Sequence, residues 1–270
     1  MSLAVTDAPV DEAAKVVVEF TGVEVKPASG SSLNFDFAAP RQIDLLALNS
    51  GVSTSLLDQV TLPAGKYNFL RLKVNAQNDG VNDSFIELDG GATHELTIPT
   101  ADTVGLKIGN HFTIAAGGAS NFTIDFDLRK SVHKPEGQNA DYVLRPTLRL
   151  VDNLQVGSIS GTVAPALIGD ASCVTPADAS DDAVYVYAGA GIIPDDVDGI
   201  APEPVTSAMV TLDTGTGNYV YKAAFLVAGE YTVAFTCQAA NDDPVVDNTI
   251  AFVGAANVTV TANTETVKNF

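Results

Sequence analysis

The stretch Asn121-Phe122-Thr123-Ile124-Asp125-Phe126-Asp127-Leu128-Arg129 alternates apolar and polar side chains along its whole length. Successive side chains of a β-strand point to opposite faces, so this period of two predicts a strand with one face turned toward a core. The other face, which carries Asp125, Asp127 and Arg129, is expected to be solvated and to form cross-strand ion pairs. Such a stretch is typical of an antiparallel sheet with one wet face.

The same alternation recurs in other parts of the chain. Residues 14–26, 66–76 and 142–151 are each predicted to form one long strand, bounded by clusters of Gly, Pro, Asn and Asp. Only residues 53–59 have a pattern compatible with a short helical turn. The sequence therefore predicts an all-β protein.

Length and charge divide the chain into two parts. With 270 residues it is nearly twice as long as the ~150 residues used as a rough guide to one domain. Residues 1–152 contain 12 Lys and Arg against 19 Asp and Glu, whereas residues 153–270 contain 2 against 14. We therefore predict two tandem antiparallel β-sandwich domains, residues 1–152 and residues 153–270.

The second part has the strand spacing of a small sandwich. Seven short strands are predicted, with Gly, Pro or Asp in many of the loops that join them. This number and spacing favour a seven-stranded, prealbumin-like or Ig-like sandwich. The predicted strands are 158–164, 183–188, 205–212, 218–225, 230–237, 249–253 and 257–269.

Several motifs carry a family resemblance. Leu62-Pro63-Ala64-Gly65-Lys66-Tyr67 and Asp125-Phe126-Asp127-Leu128-Arg129-Lys130-Ser131-Val132 resemble the bacterial domain of unknown function 4382 family, over roughly residues 4–152. That resemblance implies an exported, often lipid-anchored, envelope protein, and it implies no catalytic residues. Gly157-Ser158-Ile159-Ser160-Gly161-Thr162-Val163 resembles carboxypeptidase-regulatory or prealbumin-like sandwiches, which implies an adhesion, stalk or binding module.

The two cysteines, Cys173 and Cys237, are predicted to form one disulfide, as in exported domains. If successive strands run antiparallel, the connections that carry the two residues emerge at the same end of the sandwich. Closing a loop of this length stabilises a fold by about 4 kcal/mol in the chain-entropy model. The alternative is two unpaired structural thiols.

The same argument gathers carboxylates at that end. They offer the hard oxygen ligands that Ca²⁺ prefers, and few lysines are available to neutralise them. The alternative is a set of solvated acidic loops that keep the protein soluble. A further acidic loop, residues 195–199, is expected at the opposite pole. The six candidate calcium ligands are Asp178, Asp181, Asp182, Asp242, Asp243 and Asp247.

Tyrosines two residues apart form a third pattern. Tyr185 and Tyr187 share one face of a predicted strand, and Tyr219 and Tyr221 share a face of another. If the intervening valines face the core, the four rings point outward and form an aromatic patch for a glycan or protein partner. The alternative is cross-strand packing that stabilises the sheet.

Other function classes find no support in the sequence. A net charge of −19 disfavours nucleic acids and anionic membrane surfaces as partners. No apolar run approaches the ~20 residues that cross a bilayer. No nucleophile elbow, phosphate loop, zinc-protease motif or Cys-x-x-Cys occurs, so no catalytic residue is predicted and the protein is not expected to be an enzyme.

The N-terminal residues lack the basic and apolar regions of a signal peptide. Met1-Ser2-Leu3 is typical of an expression leader, so an export signal or lipid anchor is expected to lie outside this sequence.

The functional prediction is a monomeric, non-catalytic module of the bacterial cell envelope that binds an unidentified protein or glycan. The alternative is a structural spacer of a surface lipoprotein, stabilised by Ca²⁺. No other cofactor is expected.

Overall fold

The computed structural model describes residues 1–8, 13–98, 105–109, 111–133, 142–145, 147–176 and 178–270. They form two compact units, Met1–Asp152 and Asn153–Phe270. Both units consist of β-strands, and the two α-helices described, α1 (Leu128–Ser131) and α2 (Pro165–Ile168), are single turns. The prediction of an all-β sandwich fold is confirmed.

The described part of the first unit contains thirteen strands, most of them short. A 3-10 turn over Leu46–Leu48 follows the third strand. The strands are β1 (Ser2–Ala8), β2 (Ala13–Pro27), β3 (Leu33–Asp44), β4 (Thr54–Leu57), β5 (Gly65–Asn75), β6 (Phe85–Leu88), β7 (Thr93–Thr97), β8 (Leu106–Ile108), β9 (Phe112–Ile114), β10 (Asn121–Asp127), β11 (Val132–His133), β12 (Tyr142–Leu144) and β13 (Leu148–Asp152).

Two sheets organise these strands. The smaller has the order β13-β10-β1-β4, and in it β1 and β10 run parallel with Val5 opposite Ile124. The larger has the order β11-β12-β7-β6-β2-β5-β8, with β3 paired to β2 and β9 paired to β5. Most pairs are antiparallel, as predicted, although β7 and β12 also run parallel.

The core of the first unit lies between these sheets. Aliphatic and aromatic side chains from β1 and β10 pack against those of β2 and β5. Phe20 of the larger sheet meets Phe126 of the smaller edge to face, with ring centroids 6.2 Å apart. Burial of apolar surface on both sheets is the dominant stabilising term of such a sandwich.

The stretch around residue 125 is buried on both faces, contrary to prediction. Thr123, Asp125 and Asp127 are at most 6% exposed. The strand ends at Asp127, whose side chain caps α1 by accepting a hydrogen bond from the Lys130 N–H at 3.2 Å. Alternation therefore identified the strand correctly, but it could not show that the polar face is also covered.

Two other predictions for the first unit are wrong. The single strand over residues 142–151 is two strands in different sheets, β12 and β13, separated near Pro146, which lies outside the described residues. The chain leaves β12 when the Arg145 N–H donates to the Ser131 carbonyl. Residues 53–59 contain β4 and no helical turn.

The second unit contains eight described strands in two four-stranded sheets. One sheet has the order β17-β18-β14-β21 and the other β16-β15-β19-β20, and β14 and β21 run parallel. Two 3-10 turns, Ala179–Asp181 and Ala239–Asn241, lie in the connections. The strands are β14 (Val156–Val163), β15 (Ala183–Ala188), β16 (Thr206–Met209), β17 (Thr211–Asp213), β18 (Asn218–Val227), β19 (Gly229–Thr236), β20 (Val253–Val260) and β21 (Glu265–Val267).

The strand count differs from the prediction of seven for physical reasons. The predicted strand 205–212 splits at Val210, whose N–H bonds the Asp182 carbonyl, so β16 and β17 belong to different sheets. Residues 249–252 are not a strand, and the last predicted strand is broken into β20 and β21. The prealbumin-like assignment stays a prediction.

Candidate functional site

Two long connections of the second unit, residues 189–205 and 237–252, cover the outer face of the β16-β15-β19-β20 sheet. We call them the covering loops. Between them and the sheet lies a small separate core that includes Tyr185, Tyr187, Val197 and Ala239, all at most 3% exposed. A sheet with its inner face on the main core and its outer face on this second core is buried on both sides.

Tyr185 and Tyr187 are therefore buried rather than displayed, and the prediction of an exposed patch is wrong for them. The Tyr185 hydroxyl donates to Asp242 Oδ2, and the Tyr187 hydroxyl donates to the Asp195 carbonyl and accepts from the Asp195 N–H at 3.0 Å. Burial raises the pKa of the Tyr187 hydroxyl. The i, i+2 spacing of Tyr185 and Tyr187 correctly predicted that they share one face of the strand, but the covering loops bury that face.

Tyr219 and Tyr221 lie elsewhere, on β18 of the opposite sheet. Both pack against the main core of the unit, and the Tyr221 hydroxyl donates to the Lys268 carbonyl at 2.7 Å. The four tyrosines thus belong to two sheets and form no common patch. The cross-strand packing alternative describes them better.

The cysteine pair forms as predicted. A disulfide joins Cys173, in the connection between β14 and β15, to Cys237 at the end of β19, with the Cα atoms 4.9 Å apart. The carboxylate of Asp182 lies within 4.8 Å of both sulfur atoms. Asp182 is buried, its Oδ2 has no hydrogen-bond partner among the described residues, and burial together with the charges of Asp181 and Asp178 raises its pKa to about 7.

The six carboxylates predicted to bind Ca²⁺ do not converge. The Asp178 side chain accepts from the Ser180 N–H at 3.0 Å, and that of Asp243 from the Val245 N–H at 3.1 Å, so each stabilises its own turn. Asp181 accepts a hydrogen bond from the Thr175 hydroxyl, while Asp242 is held by Tyr185. Within the described parts of the chain, no close group of potential ligands combines acids from the two predicted sets.

A different acidic group forms instead. Asp196 and Asp198 of the first covering loop and Asp247 of the second each place a carboxylate oxygen within 4.8 Å of the others. The loops are tied by the Val197 N–H, which donates to Asp242 Oδ1 at 3.1 Å, and by the Asn248 N–H, which donates to Asp196 Oδ2. Residues 195–199 therefore do not lie at an opposite pole from the second loop.

The argument from alternating strand directions predicts only at which end of the sandwich each strand ends. It failed here because it does not predict the path of a connection as long as residues 189–205. One feature of the sequence could have indicated that residues 189–205 cover the sheet. Ile192 and Val197 are apolar residues inside an acidic loop, and both pack into the small core beneath it. Apolar residues in an acidic connection indicate that the connection covers something.

The first unit holds a second group of buried acids, Asp7, Asp125 and Asp127. Arg149 Nε donates to Asp125 Oδ2 at 3.0 Å, and Lys130 Nζ lies 3.7 Å from Asp127 Oδ2. Burial raises the pKa of all three carboxyls, and for Asp7 the charges of Asp125 and Asp127 raise it further. Asp7 was not predicted, since nothing in the alternation of residues 121–129 shows that β1 lies parallel beside β10.

An open cleft of about 640 Å³ lies in the first unit beside Met1, the segment that follows β4 and the turn between β9 and β10. Among the described residues that line it, none carries a carboxylate, imidazole or thiol side chain. The buried acids Asp7, Asp125 and Asp127 of the same unit therefore do not line this cleft.

Residues 1–146 match the family model of a domain of unknown function, DUF4382. The chain belongs to this family. The match covers the first unit as far as residue 146, including the buried acids at β1 and β10, and leaves out β13 and the whole second unit. No curated protein shows a significant similarity to the chain. Over the described residues, the helices are too short to span a membrane.

Several solved structures show a distant similarity. The Bacillus anthracis TIE protein is 12% identical with a TM-score of 0.23, and the match covers 99% of this chain but 33% of that chain. The minor pilin GBS52 of Streptococcus agalactiae is 10% identical with a TM-score of 0.22, over 100% of this chain and 94% of the pilin. A fimbrial protein from Bacteroides ovatus is 9% identical with a TM-score of 0.20, over 100% and 48%. At these TM-scores the similarities add nothing to the assignment of function.

Proposed function

We propose that the chain is a non-catalytic module of an exported bacterial envelope protein that acts by binding a partner at the cell surface. The observation that carries the export part of this proposal is the disulfide between Cys173 and Cys237. Disulfides persist in oxidising compartments and are rare in the cytosol of mesophiles. The chain also belongs to a family whose resemblance implies an exported and often lipid-anchored envelope protein, which supports the same compartment.

The covering loops are the surface that we assign to the partner. They expose Ile193 at 82%, Ile200 at 64% and Val245 at 65%, close in sequence to the carboxylates of Asp198 and Asp247. Loops positioned on a rigid scaffold are common binding surfaces. Exposed aliphatic side chains among carboxylates fit a protein partner that offers basic residues around an apolar patch.

A binding screen of the whole chain against purified surface proteins and a glycan array tests this surface. Ile193→Asp and Val245→Asp should abolish capture of a protein ligand without changing the melting temperature, because both side chains are exposed. Val267→Asp, equally exposed on β21, is the matched control and should bind normally. Binding of the wild type should weaken at high salt, since the contact is partly electrostatic.

Two results contradict the assignment. If all three variants bind a ligand as the wild type does, the covering loops are not the contact surface. If the array yields a glycan and no protein, the partner class is wrong.

The compartment is tested separately in the native organism. Protease added to intact cells should degrade the protein, and the two cysteines should react with maleimide only after reduction. Extraction of the protein into the detergent phase would support a lipid anchor. Two free thiols in a protease-resistant cytosolic pool contradict export altogether.

A second candidate is a structural spacer in a surface lipoprotein. It is favoured by the short joint between the units, since β13 ends at Asp152 and β14 begins at Val156, and by the disulfide in the second unit. A spacer should tolerate Ile193→Asp and Val245→Asp with no loss of any function. Insertion of a flexible segment after Asn153 would impair a spacer but not a binding module.

A further inference from the structure

The acidic group on the covering loops contains a carboxylate that the protein leaves incompletely bonded. Asp196 is 1% exposed, and its Oδ2 accepts the hydrogen bond from the Asn248 N–H. Its Oδ1 is buried and has no hydrogen-bond partner among the described residues. A buried carboxylate oxygen without a partner costs free energy unless a cation or a donor reaches it.

The charges around Asp196 increase that cost. Asp198 and Asp247 place carboxylate oxygens within 4.8 Å of it. Asp195 precedes Asp196 in the chain and adds a further carboxylate to the same loop. Glu203 accepts the Asp198 N–H at 2.9 Å and therefore adds a further negative charge to the same loop.

The second unit supplies no cation to this group. Residues 153–270 contain two basic residues, Lys222 and Lys268. Lys222 Nζ lies 2.6 Å from Glu265 Oε2, and Lys268 Nζ lies over the Phe270 ring and bonds the Asn269 carbonyl. Both lysines therefore have partners on the β17-β18-β14-β21 sheet or at the chain end, away from the covering loops.

We propose that Asp196, Asp198 and Asp247 form a Ca²⁺ site that joins the two covering loops. Ca²⁺ takes 6–8 oxygen ligands at 2.3–2.6 Å, so oxygens on opposite sides of the ion lie about 4.6–5.2 Å apart. The separation of these carboxylate oxygens fits within that span. Three aspartates supply three to six ligands, and backbone carbonyls and water supply the rest.

Ligand chemistry separates Ca²⁺ from other ions. The group consists of hard carboxylate oxygens, with no histidine and no free thiol, which disfavours zinc and copper. Its ligands come from two irregular loops, and Ca²⁺ tolerates irregular coordination better than Mg²⁺, which demands a near-ideal octahedron. The site stands on this geometry alone and does not depend on the proposed surface partner.

A bound Ca²⁺ would hold the two covering loops together. An ion held by both loops at this point would fix Val197 over Tyr185 and Tyr187 and would offset the cost of burying the Asp196 carboxylate. Without the ion, mutual repulsion of the carboxylates opposes closure of the loops.

Isothermal titration of Ca²⁺ into the chelator-treated full chain, with Mg²⁺ in parallel, tests the site. We expect one Ca²⁺ per chain with a Kd of about 10⁻⁴–10⁻³ M, in the range of extracellular calcium modules, and weaker binding of Mg²⁺. Asp198→Asn and Asp247→Asn should each weaken Ca²⁺ binding at least about tenfold. Asp181→Asn, an acid of the other connection, is the matched control and should bind Ca²⁺ as the wild type does.

Asp196→Asn gives a second readout that does not depend on the titration. It removes a buried charge and keeps an acceptor for the Asn248 N–H, so it should raise the melting temperature of the calcium-free chain and abolish the further rise on adding Ca²⁺. Absence of Ca²⁺ binding by the wild type, tighter binding of Mg²⁺, or a calcium response that persists in the Asp198→Asn/Asp247→Asn variant with an unchanged circular dichroism spectrum would each overturn the proposal.

Discussion

Both units bury carboxylates, but they differ in how many of them lie beside a basic side chain. Neither unit pairs all of them, since both oxygens of Asp7 in the first unit are without a hydrogen-bond partner among the described residues. In the first unit Asp125 is paired with Arg149 and Asp127 lies near Lys130. In the second unit Asp182 and Asp196 each keep a buried oxygen without a partner among the described residues. The difference follows from composition, since residues 1–152 contain 12 basic residues and residues 153–270 contain 2.

The comparison teaches that two sandwiches of similar architecture can be stabilised differently. The first unit uses internal ion pairs, whereas the second uses a covalent bond and, in our proposal, an external cation. Burial of an unpaired charge is the costliest electrostatic feature of a fold, so the two units should respond differently to the same treatments.

The largest difference is expected from the disulfide. Cys173→Ser/Cys237→Ser opens a bridge between residues 64 positions apart and should lower the free energy of unfolding of the second unit by about 4 kcal/mol. The first unit should be unaffected. Hydrogen exchange measured by mass spectrometry under increasing urea resolves the two units, and equal destabilisation of both would break the comparison.

The next effect should be confined to the first unit. Arg149→Leu leaves Asp125, which is 4% exposed, without its guanidinium and should cost about 3 kcal/mol. Asp125→Asn combined with Arg149→Leu should recover part of that loss, because no unpaired charge remains. Urea denaturation of the three variants checks this, and a double variant less stable than Arg149→Leu alone would contradict the assigned pairing.

The pH dependence of the second unit should follow Asp182. Its pKa is about 7 in the fold, against an ordinary value of 3.8. A carboxyl whose folded pKa is raised binds its proton more tightly in the folded state, so stability falls as the pH rises from about 4 to 7. Asp182→Asn should remove this fall and stabilise the unit at pH 8 by about 1–2 kcal/mol, part of what the full shift corresponds to.

Thermal unfolding of the wild type and Asp182→Asn between pH 4 and pH 8 measures that effect. Asp178→Asn is the control, since it removes a nearby charge but leaves the Asp182 carboxyl buried. Parallel pH profiles for the wild type and Asp182→Asn would show that this carboxyl does not titrate as described.

The smallest effect should come from the core beneath the covering loops. Tyr187→Phe removes the hydroxyl that donates to the Asp195 carbonyl and accepts the Asp195 N–H, and should cost about 1 kcal/mol. Tyr219→Phe, whose hydroxyl is not part of this network, should cost less. The two free energies of unfolding from urea titrations decide this, and a larger loss for Tyr219→Phe would contradict the buried role of Tyr187.

Much of the fold could be predicted from the sequence because its signals are local. Alternation along residues 121–129 gave β10, and parity of the neighbouring strands brought Cys173 and Cys237 together. The exposure of faces could not be predicted, because it depends on where distant segments travel. Tyr187 and Asp125 share this cause of error, since both lie on strand faces that were expected to be exposed and are buried.

The sequence predicted that carboxylates gather in these loops, but it did not predict which of them lie together, and Ca²⁺ binding stays a prediction. Acidic loops and few lysines indicated Ca²⁺, and Asp247 is common to the predicted and observed groups. Asp196 and Asp198 were predicted to lie at the opposite pole, because the alternation of strand directions shows where strands end but not where a long connection runs. The apolar Val197 between them was the residue that could have indicated a covering loop.

The central claim is that the acidic covering loops need a cation from outside, whereas Asp125 and Asp127 of the first unit lie beside basic side chains of their own unit. Hydrogen exchange of the whole chain in millimolar Ca²⁺ and in chelator tests it most directly. The account predicts that Ca²⁺ slows exchange in peptides from residues 189–205 and 237–252 and leaves peptides from β1 and β10 unchanged. Identical exchange in the covering loops under both conditions, or protection confined to the first unit, would contradict it.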